Sequence, residues 1–300
     1  MSRDYILHAN GLSVLLRSID NEETKFKGTV VWAISNLCKG KPAPLLDLIS
    51  PAVPILATLM NSPSSIGDDA CIAISYLCDA GEEIIPETLK NGICKCVVNR
   101  LLTYRPYSKH IQMPALIIIG NLVTTHSQTD VVISCGALVA LHFTLQNAPK
   151  ALIQNEVCHI IAKIAAGTVS HIEAVFEAGL IDCIIPLLLQ ESIISVNATT
   201  VIKNVTLRGN ASQIQRLVTK GCIPVLCDRL MEPNERIISL ALEALEKILQ
   251  IGDTLGGTNP NVMKFVENEG HTHLKWLMHH CHSVISQKAK DMLDEYFYDQ

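Results

Sequence analysis

The chain has 300 residues, 48% of them hydrophobic, 18% charged and only 4% aromatic, with a formal net charge of -5 at pH 7. Aliphatic residues carry the apolar count, which suits buried helix rather than the aromatic alternation of sheet proteins, and the apolar material is ample for a sizeable core. The acidic balance argues against a general nucleic-acid binder, which carries a basic stripe, and sits better with a soluble protein that receives basic partners.

The opening MSRDYILHANGL shows no apolar signal core and no Arg-rich transit pattern. The densest apolar run, Ala115 to Val123, is broken by Gly120 and Asn121 and falls short of the ~20 residues needed to cross a bilayer. A cytoplasmic and nuclear protein with no membrane partner is therefore expected. In a reducing compartment the cysteines, most of them inside apolar helical patterns, read as small buried hydrophobes. The sequons at Asn197, Asn204 and Asn210 then carry no sugar.

Along the chain one block recurs, a small residue running into an apolar helix: GLSVLL from Gly11, AVPIL from Ala52, GICKCV from Gly92, GALVAL from Gly136, GLIDCI from Gly179, GCIPVL from Gly221 and GHTHL from Gly270. Their starts are 41, 40, 44, 43, 42 and 49 residues apart. A second block follows each of the first six: VVWAISNLC, CIAISYLC, LIIIGNLV, HIIAKIAA, TVIKNVTL and EALEKILQ. Its marker positions, Asn36, Tyr76, Asn121, Lys163, Asn204 and Lys247, are 40, 45, 42, 41 and 43 apart. Two independent markers keep one period, so the repeat is real.

Each unit also holds a shorter helix before the glycine, as in the stretches from Gln128 and from His171. Apolar residues recur at three- and four-residue steps, for example Leu180, Ile184, Leu187 and Leu188. The glycine suits a left-handed C-cap, and Pro42, Pro44, Pro51, Pro86 and Pro233 punctuate the connections. Three helices per period of this length is the armadillo pattern, against two for the HEAT form. The expected fold is all-α, a right-handed superhelical armadillo solenoid forming a single domain. Its repeats run 1–40, 41–81, 82–125, 126–168, 169–210 and 211–252, with a partial repeat at 262–300 after a Gly/Pro/Asn linker at 253–261.

The last helix of each armadillo unit lines the concave face. Trp32 and Asn36 are one turn apart there and share a helix face. A Trp ring offers an apolar wall and a π-face for Lys or Arg, while Asn offers donors and an acceptor to an extended peptide backbone. At one position alone, Trp32 as core and Asn36 as a capping residue would be the simpler reading. Repetition of Asn at 36, 121 and 204 favours groove residues, because a polar group on a buried face would need partners three times over.

The blocks VVWAISNLCKGKPAP, GDDACIAISYLCDAG, PALIIIGNLVTTHSQT and GCIPVLCDRL resemble consecutive repeats of importin alpha (karyopherin alpha), across essentially the entire chain. That resemblance implies a nuclear import adaptor whose Trp/Asn ladder binds Lys/Arg-rich localisation-signal peptides at a major site over early repeats and a minor site over late ones. On the matching positions it implies peptide binding by Trp32, Asn36, Asp69, Asn121, Glu156 and Asn204. Aligned so, the chain starts near the family's third-to-fourth repeat boundary. The basic segment that recruits importin beta then falls outside it, and binding of importin beta through this chain alone is not expected. Contact of the late repeats with the family's export receptor is implied.

The departures fall in the units that follow Trp32 and Asn36. Where the family has Trp, this chain has Ile72, His159 and Thr200; where it has Asn, Tyr76 and Lys163; Ile117 replaces an Arg and Asn197 a Glu. Losing contacts of ~1 kcal/mol each, as for exposed cation–π pairs, at three places costs ~10²-fold in affinity. The minor site is expected to be weakened. The rival reading is a scaffold that keeps the solenoid and has lost signal recognition.

Chemistry of other kinds finds little support. The run HTHLKWLMHHCH places His279 and His282 three apart, one helix face if helical, but no separated second ligand pair with zinc-site spacing accompanies them. Cys94 and Cys96 point apart on a helix, and Asp68 and Asp69 simply begin one. Neither a phosphate loop nor a nucleophile elbow is present. No catalytic residue, cofactor or metal, and hence no enzyme, is expected.

Overall fold

The computed structural model describes residues 3–21, 24–62, 64–103, 111–147, 150–190, 192–253 and 259–298. They form two compact units, Met1–Asn147 and Ala148–Gln300, and among the described residues every regular element is helical.

The first unit opens with Arg3–His8, Gly11–Asn21 and Thr24–Cys38. The next set is Leu46–Ile49, continued through a 3-10 turn into Val53–Leu59, and then Ser65–Ala80. Ile85–Lys90, Ile93–Leu102 and Gln112–Leu122 repeat the plan, and His126–Ser134 and Ala137–Asn147 close the unit. The long third helices stack in sequence, Thr24–Cys38 on Ser65–Ala80 and that on Gln112–Leu122. Ile34, Ile74, Leu116, Ile118 and Ile119 are fully buried between layers, each worth about 1.5–3 kcal/mol in apolar area removed from water. Ser35 and Ser75 share that buried face, and each hydroxyl donates to the carbonyl three residues back at 2.8 Å.

The second unit repeats the plan. Ala151–Ala165, Ser192–Arg208 and Glu235–Asp253 stack as long helices, with the shorter pairs Val169–Glu177 and Leu180–Leu187, and Ala211–Thr219 and Cys222–Arg229, between them. Its final set, Pro260–Glu267, Gly270–Leu277 and Ser283–Leu293, has the full three helices and ends in a π turn at Asp294–Tyr298. Of the expected linker, Asp253 ends a helix, residues 254–258 lie outside the described residues, and Asn259 caps the next helix by accepting from the Asn261 and Val262 N–H groups at 2.9 and 3.2 Å.

Helix starts and turns follow local chemistry repeat by repeat. Thr125, Thr168 and Asn210 each close a capping box, with Gln128, His171 and Gln213 reaching back to the cap N–H. The expected left-handed glycine is present at Gly92, Gly136, Gly179 and Gly221, with φ between 68 and 88°. At the two ends of the chain that expectation is corrected. Gly11 and Gly270 are helical, and the left-handed residues are Asn10 and Glu269, φ 61 and 59°. Glycine is needed at those two places for space, because an added Cβ would meet Ile6 at 2.6 Å in one and run into the Phe265 ring in the other.

Polar side chains tie neighbouring repeats across one period. In the first unit Arg100 donates to the Met60 and Ser62 carbonyls at 2.8 and 2.7 Å and pairs with Asp68 at 2.5 Å. In the second, Asn197 donates to Asn155 at 2.9 Å, Asn204 to the Ala162 carbonyl at 2.8 Å, and Lys288 pairs with Glu246 at 2.8 Å.

Candidate functional site

Trp32 lies on Thr24–Cys38 with its flanks Val31 and Ile34 fully buried, so the helix is fixed while the indole faces solvent at 59% exposure. That exposure excludes a core role for Trp32. Asn36, one turn on, is also exposed, and its Nδ2 donates to the Trp32 carbonyl at 2.9 Å. One amide N–H is thereby used to hold the side chain against its own helix. The Oδ1 acceptor and the second N–H remain for a partner.

Asp69 sits on the adjacent long helix, Ser65–Ala80. Its neighbour Asp68 is taken by Arg100, whose guanidinium packs so closely that a Cβ at Gly67 would collide with it. The two adjacent carboxylates therefore divide their roles: Asp68 is structural, while Asp69 is half-buried with no cation paired to it among the described contacts. Burial first, and the Asp68 charge second, hold the Asp69 pKa above its ordinary value. A cationic ligand would relieve both. On the same helix Ile72 and Tyr76 occupy the positions homologous to Trp32 and Asn36, and the Lys39 ammonium lies 5.6 Å from the Tyr76 ring centroid. This cation–π contact was not legible in the repeat pattern, because Lys39 lies beyond the helix end. Asn121 on Gln112–Leu122 repeats the geometry of Asn36, donating to the Ile117 carbonyl at 3.0 Å.

In the second unit Glu156 and His159 lie on Ala151–Ala165, half-buried and exposed respectively. Thr200 and Asn204 lie on Ser192–Arg208, which packs against it. Here the Asn differs from its two counterparts: the Asn204 amide reaches across to the Ala162 carbonyl of the preceding repeat instead of its own helix. Asn197 does the same two turns earlier, donating to Asn155. Lys203 stands 3.7 Å from Glu243, a half-buried pair on the next helix interface. The missed signal is the seven-residue register of Asn197 with Asn204 against Asn155 with Ala162, which marks a pair of inter-repeat ties.

The His-rich stretch requires a correction. Gly270–Leu277 carries His271 and His273 but ends before His279, and residues 278–282 form a turn into Ser283–Leu293, so His279 and His282 do not share a helix face. Cys94 and Cys96 are on one helix, Ile93–Leu102, as expected.

Residues 2–39 match the armadillo/beta-catenin-like repeat family. The chain is 37% identical over 308 residues to importin subunit alpha-1a of Oryza sativa subsp. japonica, covering 99% of this chain and 58% of that protein. It is 35% identical over 291 residues to importin subunit alpha-4 of Arabidopsis thaliana, covering 94% of this chain and 53% of the relative. Among solved structures, a designed armadillo repeat protein in complex with the peptide (KR)4 superposes with a TM-score of 0.71 at 25% identity, over 81% of this chain and 99% of that one. The chain thus spans a little more than half the length of these curated relatives. With helical triplets repeated at one period and an exposed Trp–Asn pair on a long third helix, the chain is built of armadillo-type repeats and is similar over nearly its whole length to importin alpha subunits.

Proposed function

We propose that the chain is a protein-interaction module of nuclear import that binds Lys/Arg-rich localisation-signal peptides on the surface carrying Trp32, Asn36 and Asp69. The observation that carries this reading is the exposed Trp32 ring with Asn36 one turn on. A peptide backbone takes the free amide groups of Asn36, a Lys or Arg stem lies on the indole, and its charge meets Asp69. The armadillo design in complex with (KR)4 supports this ligand class, and the likeness to importin alpha subunits supports the role in nuclear import. Asn121 extends the surface within the first unit.

The second unit contributes less. Asn204 spends a donor on Ala162, His159 and Thr200 offer no indole wall, and Lys163 stands where the family has Asn. Glu156 remains as an acidic contact. Peptide binding there is weak, and the late repeats serve protein contacts of another kind, the family's export receptor being the partner to test. In the cell the protein shuttles between cytoplasm and nucleus without enzymatic activity.

The reading is tested by titrating a fluorescent (KR)4 peptide into the chain and into two paired variants, Trp32→Ala with Asn36→Ala and Glu156→Gln with Asn204→Ala. The first pair is expected to weaken binding at least tenfold and the second by less than threefold, since ~1 kcal/mol lost at each of two contacts exceeds the 1.4 kcal/mol of a decade. Equal losses would place the ligand elsewhere, and no binding by the parent chain would favour a scaffold that has given up signal recognition.

A further inference from the structure

We propose that Glu235, His280 and Cys281 form a divalent-metal site of zinc type in the second unit. One carboxylate oxygen, one imidazole nitrogen and the Cys281 Sγ all lie within 4.8 Å of one another. Glu235 begins the long helix Glu235–Asp253, whereas His280 and Cys281 belong to the turn between Gly270–Leu277 and Ser283–Leu293, one repeat later in sequence. The fold brings together groups that no spacing rule links, which is why the sequence carries no metal motif here.

The donor set selects the metal. Thiolate, imidazole and carboxylate together suit zinc, whereas magnesium and calcium take oxygen donors. Tetrahedral zinc with bonds of about 2.0–2.3 Å sets its donors roughly 3.4–3.7 Å apart. The three groups need draw together by no more than about 1.4 Å, a shift that exposed Glu235 and Cys281 and half-buried His280 make by side-chain rotation. Cys281 is the exposed cysteine of the chain; the other ten are buried or half-buried. His280 is held with its ring edge towards Trp276, centroids 6.3 Å apart, and its Nδ1 accepts the His282 backbone N–H at 3.0 Å. On binding, the Cys281 thiol releases its proton to solvent and Sγ bonds the metal. Water fills the fourth position, as in open three-ligand zinc sites. The ion clips the start of Glu235–Asp253 to the last interhelical turn.

The test uses the full chain, reduced and stripped with a chelator, titrated with cobalt(II) and then zinc. Expected are a thiolate-to-cobalt charge-transfer band that saturates at one equivalent and is bleached by zinc, together with quenching of Trp276, one of two tryptophans. Cys281→Ser abolishes the band, and His280→Ala and Glu235→Gln each weaken affinity at least about tenfold, the lower bound even for outer-shell changes. Cys183→Ser, at a half-buried site elsewhere in the unit, leaves the titration unchanged. Absence of the band, its survival in Cys281→Ser, or unaltered affinity in both other variants overturns the site. All four positions are at least partly exposed, so circular dichroism of each variant matching the parent keeps these outcomes interpretable.

Discussion

The side chain of Asn204 donates to the backbone carbonyl of Ala162, 42 residues earlier, at 2.8 Å. Asn36 and Asn121, at the same place in their repeats, donate instead to the carbonyl four residues back on their own helices. One residue type at one repeat position thus serves as inter-repeat tie in one case and stays on its own helix in the others, exposed at Asn36 and half-buried at Asn121.

Stability should separate these roles. Asn204→Ala removes a part-buried hydrogen bond between repeats, leaving the Ala162 carbonyl with only the Ala166 N–H at 3.0 Å, and is expected to cost about 1 kcal/mol of unfolding free energy. Asn36→Ala removes an exposed group and should stay within about 0.5 kcal/mol. Urea unfolding followed by circular dichroism measures both. Equal effects would contradict the distinction.

The turn geometry makes a second case. Glu269 carries a side chain at φ 59° where Gly92, Gly136, Gly179 and Gly221 stand in other repeats. Glu269→Gly is expected to stabilise the chain by up to about 1 kcal/mol, because relief of the left-handed strain, roughly 1–2 kcal/mol for an L-residue, exceeds the extra backbone entropy that glycine loses on folding. Gly179→Ala at φ 70° should destabilise it by a similar amount. Thermal melts of both variants give the two signs.

Thiol chemistry follows burial. Desolvation pushes the thiols of Cys38, Cys71, Cys78, Cys158 and Cys227 up to about 12, so they stay protonated and unreactive near neutrality. In a disulfide-exchange assay on the folded chain Cys281 should react first and fastest, with Cys96, Cys135 and Cys183 slower. Unfolding in denaturant should release the remainder of the eleven. Fast reaction of a buried thiol would count against this packing.

Asp69 gives the binding surface a pH dependence. Its pKa is raised chiefly by burial and then by Asp68, so in the free chain ionisation is disfavoured relative to the unfolded state. The associated stability is present below the unfolded pKa and lost as pH rises through the raised folded value. A bound cation favours the carboxylate and reverses the sign for affinity, which should be full above the raised pKa and fall as pH drops through it. Asp69→Asn should flatten the affinity profile at acid pH and raise the melting temperature slightly at neutral pH. A parent profile as flat as that of the variant would remove Asp69 from the surface.

The repeat period, the three helices per unit and the exposed Trp32–Asn36 pair were all legible in the sequence, because helical periodicity and glycine placement are local signals. What lay outside its reach was the partner of each polar group. Arg100 claims Asp68 and leaves Asp69, an assignment set by packing across a repeat interface. Asn204 shares its repeat position with Asn36 yet turns to another helix, and only the neighbouring carbonyl decides which. The left-handed residue is Asn10 rather than Gly11 and Glu269 rather than Gly270, while glycine stands at 11 and 270 for want of space beside Ile6 and Phe265. Glu235 meets His280 and Cys281 only through tertiary structure.

The most direct test of the peptide-binding role is a titration of a Lys-rich localisation peptide against the parent chain and the Trp32→Ala, Asn36→Ala pair at two salt concentrations. The parent is expected to bind, more weakly at the higher salt because charges are screened, and the paired variant to lose at least tenfold in affinity at both. Binding by the paired variant equal to that of the parent would contradict the assignment of Trp32 and Asn36 as the recognition surface.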